Sequence, residues 1–379
     1  MDLYCPLKFE ELQVHVQSRL LYNCCMAFPE RCDLDWLEAN PGKIFHTPTM
    51  IEDRKKMMQN ISFKSCAHGC FNREKLGLPS HREKQFYSDN KHTDAQLRTL
   101  KLSLSNDCNM SCLYCAPEWS TGWQKQLEKS GPIKLDGLTI ENTKWNKIWK
   151  KVKQKNRSLE SKFFKLLTRE INHSTSIEKI VLLGGEPLLV NNIEKFIQQI
   201  NDQTEIHIHT GLGLKDSRLK KFLGALKNKK LFFNLSVDST NDHYDLIRRG
   251  NTWENFLNNY KILKENKVNI TLQSVMTNLS IFGLENFVNF FKNEKIVAGV
   301  LTERDFLMPN VVDEKTKNLF YKIFQNYKDN EIFKLYEKHM RIEPSAVQVK
   351  NLKTFMKKYE SNKIQILPKH FLDWVDYHN

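Results

Sequence analysis

The sequence predicts an α/β protein, a partial (β/α)6 TIM-like barrel preceded by a small cysteine-rich module and followed by a helical tail. Two observations carry this. From about residue 98 onward, short β-branched apolar runs alternate with longer stretches of helically spaced apolar residues, the pattern of repeated strand-helix units and a parallel sheet. All nine cysteines lie at or before Cys115, which sets a thiol-rich first third apart from the rest. The expected divisions are 1–92 for the module, 93–308 for the barrel and 309–379 for the tail.

Six strands are legible, at Leu97–Leu104, Lys179–Leu183, Glu205–His209, Leu231–Val237, Asn269–Val275 and Val297–Leu301. Helical spacing falls between them, at Ile193–Asn201, Ser217–Lys227, Asn251–Glu265 and Leu284–Asn293. The first crossover, Ala116–Ile177, is much longer than the others and holds Trp119, Trp123, Trp145 and Trp149. It can lie over the barrel mouth, or its tryptophans can simply dock a long helix. After residue 310 the apolar spacing of Leu319, Phe320, Ile323 and Phe324, then Phe333, Leu335 and Tyr336, reads as helices, with a break at Pro368 and no catalytic signature.

At 379 residues the chain can bury a sizeable core and an accessory module, and its 40% hydrophobic and 11% aromatic content is that of a folded protein. No apolar run approaches the roughly 20 residues needed to cross a bilayer, and Met1–Glu11 lacks the pattern of a signal peptide. A cytoplasmic protein without a membrane partner is expected. Thiols in such a compartment serve metals or catalysis more often than disulfides. The formal charge of +14 suits an acidic partner and does not choose between nucleic acid, an acidic peptide and small anions. The basic runs Lys147–Arg157 and Lys227–Lys230 read first as solvated faces.

The strongest local signal is Cys108-Asn-Met-Ser-Cys112-Leu-Tyr-Cys115, just after the first barrel strand. Three thiolates on one loop can hold three irons of a cubane, where a ferredoxin run of four would saturate it. One iron stays open, and an open coordination position is what metal catalysis requires. Loops after barrel strands gather at the C-terminal mouth, where sites of this architecture are built. The second strand runs into Gly184-Gly185-Glu186-Pro187. Adjacent glycines allow a ligand close to the backbone, and a carboxylate with exposed carbonyls suits an ammonium.

These two motifs resemble the radical SAM superfamily, in which the residue before the last cysteine is aromatic, as Tyr114 is here. The resemblance implies a 4Fe-4S cluster on Cys108, Cys112 and Cys115 and S-adenosyl-L-methionine at its open iron. It also implies that Gly184, Gly185, Glu186 and Pro187 hold the methionine amino group. A serine at the end of the fourth strand and an arginine twelve positions on bind the cofactor carboxylate in similar enzymes, which carries Ser236 and Arg248 across, with Arg249 as the competitor. Relatives show Thr-Asn-Gly at the end of the third strand; here it reads His209-Thr210-Gly211, leaving Thr210 a candidate for the ribose region, while His207 and His209 read as packed or surface residues. The implied reaction is reductive cleavage of S-adenosylmethionine to a 5′-deoxyadenosyl radical that abstracts hydrogen from a substrate, fed by an electron donor such as flavodoxin or ferredoxin. The cofactor does the difficult chemistry, so the absence of a conspicuous acid-base pair is expected. Polar residues on late strands, Gln273, Thr277 and Glu303, receive no catalytic role.

Ahead of the barrel, Cys5-Pro6, Cys24-Cys25 and Cys66-Ala-His-Gly-Cys70, with Trp36, Arg54, Glu74, Gly77, Ser80 and Arg82, resemble the SPASM or twitch module that binds auxiliary iron-sulfur clusters. The resemblance implies one auxiliary cluster on Cys5, Cys24, Cys66 and Cys70, with Cys25 as alternate to Cys24 and Cys32 left over. The spacing departs from relatives in the three residues between Cys66 and Cys70 and in the shorter cysteine set. Zinc as a structural staple is the other reading of these four thiols. Relatives of this kind often modify peptides or proteins, so a peptide or protein is the leading substrate, and the +14 charge suits an acidic one. Modification of a nucleic acid or nucleotide is the alternative, for which Trp145 and Trp149 beside Lys147, Lys150 and Lys151 give a hint. The third reading is a non-catalytic iron-sulfur or zinc binding protein.

Overall fold

The computed structural model describes residues 2–83, 93–142, 161–301, 304–359 and 363–377. Trp145, Trp149, Lys147, Lys150, Lys151 and Glu303, together with the rest of the Lys147–Arg157 run, lie outside the described residues. Eleven strands are present among the described residues: β1 (Glu11–His15), β2 (Leu20–Tyr22), β3 (Glu30–Arg31), β4 (Thr99–Ser103), β5 (Ile133–Leu135), β6 (Leu138–Ile140), β7 (Lys179–Leu183), β8 (Glu205–Thr210), β9 (Lys230–Ser236), β10 (Asn269–Met276) and β11 (Ile296–Val300). Six of these, β4 and β7 to β11, are the predicted barrel strands, each within two residues of its expected ends. The α/β class, the parallel sheet and the helical C-terminal part are as the sequence predicts.

The chain divides into two compact units. The first comprises Met1–Ser105, Ile148–Ile208 and Phe222–Phe232. Its strands run in the order β8-β7-β4-β1-β2-β3. The pairs β1 with β4, β4 with β7 and β7 with β8 are parallel, while β2 and β3 add antiparallel. The N-terminal segment thus contributes a strand directly beside the first barrel strand, Leu12 lying opposite Leu100 and Val14 opposite Leu102. All four side chains are buried, as expected of a parallel strand covered on both faces. The helix Lys162–His173 packs Phe163, Phe164, Leu166, Leu167 and Ile171 inward, and Ser161 caps it by accepting from the Phe164 N–H.

The second unit comprises Asn106–Lys147, His209–Lys221 and Phe233–Asn379. It contains the end of β9 beside β10, then β11 parallel to β10. The helix Trp253–Glu265 starts two residues later than its spacing suggests because the Thr252 hydroxyl caps it, accepting from the Asn255 N–H. The long crossover supplies the helix Thr121–Ser130 and the hairpin β5-β6 to this unit. Trp123, on that helix, is fully buried, whereas Trp119 is 41% exposed. The tail forms helices Glu314–Phe324, Glu331–Met340, Ala346–Lys358 and Lys369–Trp374. Among the described residues, no helix is long and apolar enough to cross a membrane.

The cysteine-bearing loops of the first unit are joined by buried polar side chains. Lys8 Nζ donates to Asp53 at 2.8 Å, to Ser65 at 2.8 Å and to Asn23 at 3.1 Å, so one ammonium ties the segments of Cys5, Cys24 and Cys66. Arg82 pairs with Glu74 at 2.5 Å and also donates to the carbonyls of Asp2 and Tyr4, while the Ser80 hydroxyl donates to Glu74. Arg54 lies against the Phe45 ring and donates to the carbonyls of Lys8 and Phe45. Removing one partner of a buried pair strands the other charge, at a cost of about 3–5 kcal/mol. Arg82→Ala is therefore expected to lower stability by that order in urea unfolding, and Glu74→Gln combined with Arg82→Gln by clearly less.

Candidate functional site

The loop 106–120 after β4 has neither helix nor strand, so its peptide groups need partners from elsewhere. They find them on the segment after the helix Asn241–Ile247. The Ser111 N–H donates to the Arg249 carbonyl at 2.7 Å and the Leu113 N–H to the Ile247 carbonyl at 2.8 Å. Below it, the Trp123 indole N–H donates to the Cys112 carbonyl at 2.7 Å and the Thr121 hydroxyl bonds the Cys108 carbonyl at 2.8 Å. Gly250 is needed where it stands, with φ +99° and the Asn109 carbonyl so close that any side chain would collide.

Held in this way, Cys108 and Cys112 are buried together with Met110, and the half-buried Cys115 packs against them. Burial pushes the Cys115 thiol up to about 12, assisted by the neighbouring Cys112 and opposed by Arg304. Burial also raises Cys112, while Arg248 works in the opposite sense. Metal binding to this trio must therefore release protons, since the thiolate is the ligand. Among the described residues no group of three or more His, Cys, Asp or Glu is gathered tightly enough for a single metal ion. Three thiolates on one loop suit a cubane, whose irons sit at separate corners.

Asp238, at the end of β9 and fully buried, organises the far side of the trio. Its Oδ1 accepts from the Val275 N–H at 2.7 Å; its Oδ2 accepts from the Tyr114 hydroxyl at 2.8 Å and from Arg248 Nε at 2.7 Å. Arg248 continues to the Cys112 sulfur, 3.8 Å from its terminal nitrogen, and lies 5.3 Å from the Tyr114 ring. Burial opposes its charge, but Asp238 outweighs that and holds its pKa above the ordinary arginine value. Arg249 points elsewhere: it donates to the Ser111 hydroxyl at 2.8 Å and sits over the rings of Trp123 and Tyr359. The two arginines thus face different partners, Arg248 the Cys112 sulfur and Arg249 the Ser111 hydroxyl.

The other candidates fall as follows. Ser236 closes β9, half-buried. The Thr210 hydroxyl accepts from the Leu212 N–H at 2.9 Å, a local turn bond. His207 stacks on Phe232. Thr277 exchanges hydrogen bonds with Ser280. In the first unit, Gly184 has φ +122°, and a side chain there would collide with the Ser105 carbonyl, to which the Gly185 N–H donates at 2.7 Å. Glu186 is buried and accepts from the Leu188 N–H, capping the turn Pro187–Leu189. Also in the first unit, Cys5, Cys66 and Cys70 belong to one buried cluster. Burial lifts Cys5 and Cys24 to about 12; Cys66 and Cys70 add to this at Cys5, and Cys66 and Cys5 at Cys24. The four are thus electrostatic neighbours. Cys25 is exposed, and Cys32 keeps company with Glu30, Arg19 and Asp33 instead.

The sequence profile of the Radical SAM superfamily matches residues 102–290, a stretch that begins in β4 and contains the cysteine trio, Gly184–Pro187, Asp238 and Arg248. The chain belongs to the radical SAM superfamily. GTP 3′,8-cyclase of Campylobacter jejuni subsp. doylei is 29% identical over 151 residues, covering 40% of this chain and 37% of that protein. A probable GTP 3′,8-cyclase of Methanococcus aeolicus is 24% identical over 256 residues, covering 65% of this radical SAM chain and 70% of its own length. The chain thus spans little more than a third of the first relative. Among solved structures, Streptococcus suis SuiB aligns at 15% identity over 84% of this chain and 69% of its own, with a TM-score of 0.36.

Gly184→Ala forces a non-glycine residue into a disfavoured φ, costing about 1–3 kcal/mol before the clash is counted. The expected outcome is a lower urea midpoint together with loss of S-adenosylmethionine binding in isothermal titration. An unchanged midpoint would mean that the turn does not need the glycine.

Proposed function

We propose that the protein is an enzyme that cleaves S-adenosylmethionine reductively and uses the resulting radical to abstract hydrogen from a substrate. The observation that carries this reading is the packing of Cys108, Cys112 and Cys115 against one another on one pinned loop, a donor set that leaves one iron of a 4Fe-4S cluster unligated. When bound, that cluster supplies the electron that splits the sulfonium and yields a 5′-deoxyadenosyl radical. The chain's own part is to ligate, orient and exclude water. The three thiolates grip the cluster, while Trp123, Leu113, Tyr114 and Tyr244 keep the loop dry. Gly184, Gly185, Glu186 and Pro187 take the methionine ammonium, Ser236 and Arg248 the carboxylate, and Thr210 the ribose region.

Cys5, Cys24, Cys66 and Cys70 hold an auxiliary iron-sulfur cluster, supported by their mutual electrostatic contact and by the Lys8 and Arg82 networks that join their loops. For the substrate we favour a peptide or protein, on the strength of this module and of the +14 charge, which suits an acidic chain. A nucleotide is the second reading, favoured by the relatives named GTP 3′,8-cyclase. Saturable GTP binding by the reconstituted protein would decide for it.

Anaerobic reconstitution followed by dithionite is expected to give 5′-deoxyadenosine, measured by liquid chromatography. Cys112→Ala should abolish that product, whereas Cys66→Ala should retain part of it. Equal loss in both, with the barrel cluster still present in Cys66→Ala, would refute the division between the two cysteine sets.

A further inference from the structure

We infer that Arg248, oriented by Asp238, sets the reduction potential of the cluster on Cys108, Cys112 and Cys115 by donating an N–H to the Cys112 sulfur. This rests on the preceding reading and deepens it. A guanidinium is a rigid planar fork, so fixing one nitrogen fixes the aim of the others. Here Nε is fixed at 2.7 Å from Asp238 Oδ2, and Asp238 is itself fixed by the Val275 N–H at 2.7 Å and the Tyr114 hydroxyl at 2.8 Å. The consequence is that a terminal nitrogen stands 3.8 Å from Cys112 Sγ, within hydrogen-bonding reach of sulfur. The side chains of Arg248 and Asp238 are 7% and 0% exposed, so solvent screens this charge little.

Hydrogen bonds to ligating sulfurs and nearby charge are among the levers by which a protein tunes an iron-sulfur potential. A cation with a donated N–H stabilises the more negative, reduced state, so the arginine raises the potential above the value the three thiolates alone would give. Asp238 is the positioning residue. Arg249 provides an internal comparison: it is the next residue, carries the same charge, and is held between Trp123 and Tyr359 with its Nε on Ser111 rather than on a sulfur.

The test is an EPR-monitored redox titration of the reconstituted full chain without S-adenosylmethionine, following the signal that is missing from Cys112→Ala. Arg248→Gln is expected to shift the midpoint to lower potential, Arg248→Lys to shift it part of the way, and Arg249→Lys to leave it in place. A loaded Arg248→Gln protein with the wild-type midpoint overturns the inference while leaving the enzyme reading intact. Should Arg248→Gln fail to load iron, the wild-type chain labelled with 15N-arginine decides. A 15N coupling to the reduced cluster in pulsed EPR that persists in Arg249→Lys and Arg304→Lys supports the inference, and its absence overturns it. A wild-type chain without any four-iron signal defeats both.

Discussion

The site depends on how an irregular loop satisfies its own backbone. Residues 106–120 carry all three thiols of the trio without a helix or strand to fix them, and buried peptide groups must find partners. The partners are the carbonyls of Ile247 and Arg249, so the segment that ends in the candidate cofactor arginine is also the one that fixes the cysteines. Ligand geometry and the placement of Arg248 are two results of the same pair of hydrogen bonds.

Much of the fold was legible because its signals are periodic. β4 and β7 to β11 are β-branched runs flanked by helical spacing, and each lies within two residues of its expected position. The first three strands were not legible. Glu11–His15 is short and buried on both faces, so it shows no alternation, and its strand character comes from pairing with β4, far away in sequence. The same limit applies to the site. The cysteine spacing and the Gly184–Pro187 turn can be read locally. The roles of Asp238, Ser111 and Trp123 depend on contacts that span from 10 to 138 residues of chain. A hint existed for Asp238, a carboxylate placed immediately after a strand and ten residues ahead of an arginine.

The two cysteine sets are held by different physics. The trio relies on backbone hydrogen bonds and aromatic cover, with one ion pair beside it. The N-terminal thiols are joined by side-chain cations, Lys8 and Arg82, each matched to a carboxylate and to groups flanking the cysteines. A buried ion pair contributes little net stability, but it penalises any arrangement that leaves one charge alone. Such a network is suited to specifying how loops meet rather than to strengthening a core.

The C-terminal tail, silent as to chemistry in the sequence, reaches the trio's loop through one aromatic residue. Tyr359 donates its hydroxyl to the Leu246 carbonyl at 2.7 Å and places its ring 4.5 Å from the Arg249 guanidinium, beside Trp123 and Phe355. A fragment trimmed to the 102–290 homology region would lose that buttress, baring the indole that grips the Cys112 carbonyl to solvent. A minimal domain cut at the family boundary would therefore be a poor vehicle for studying this centre.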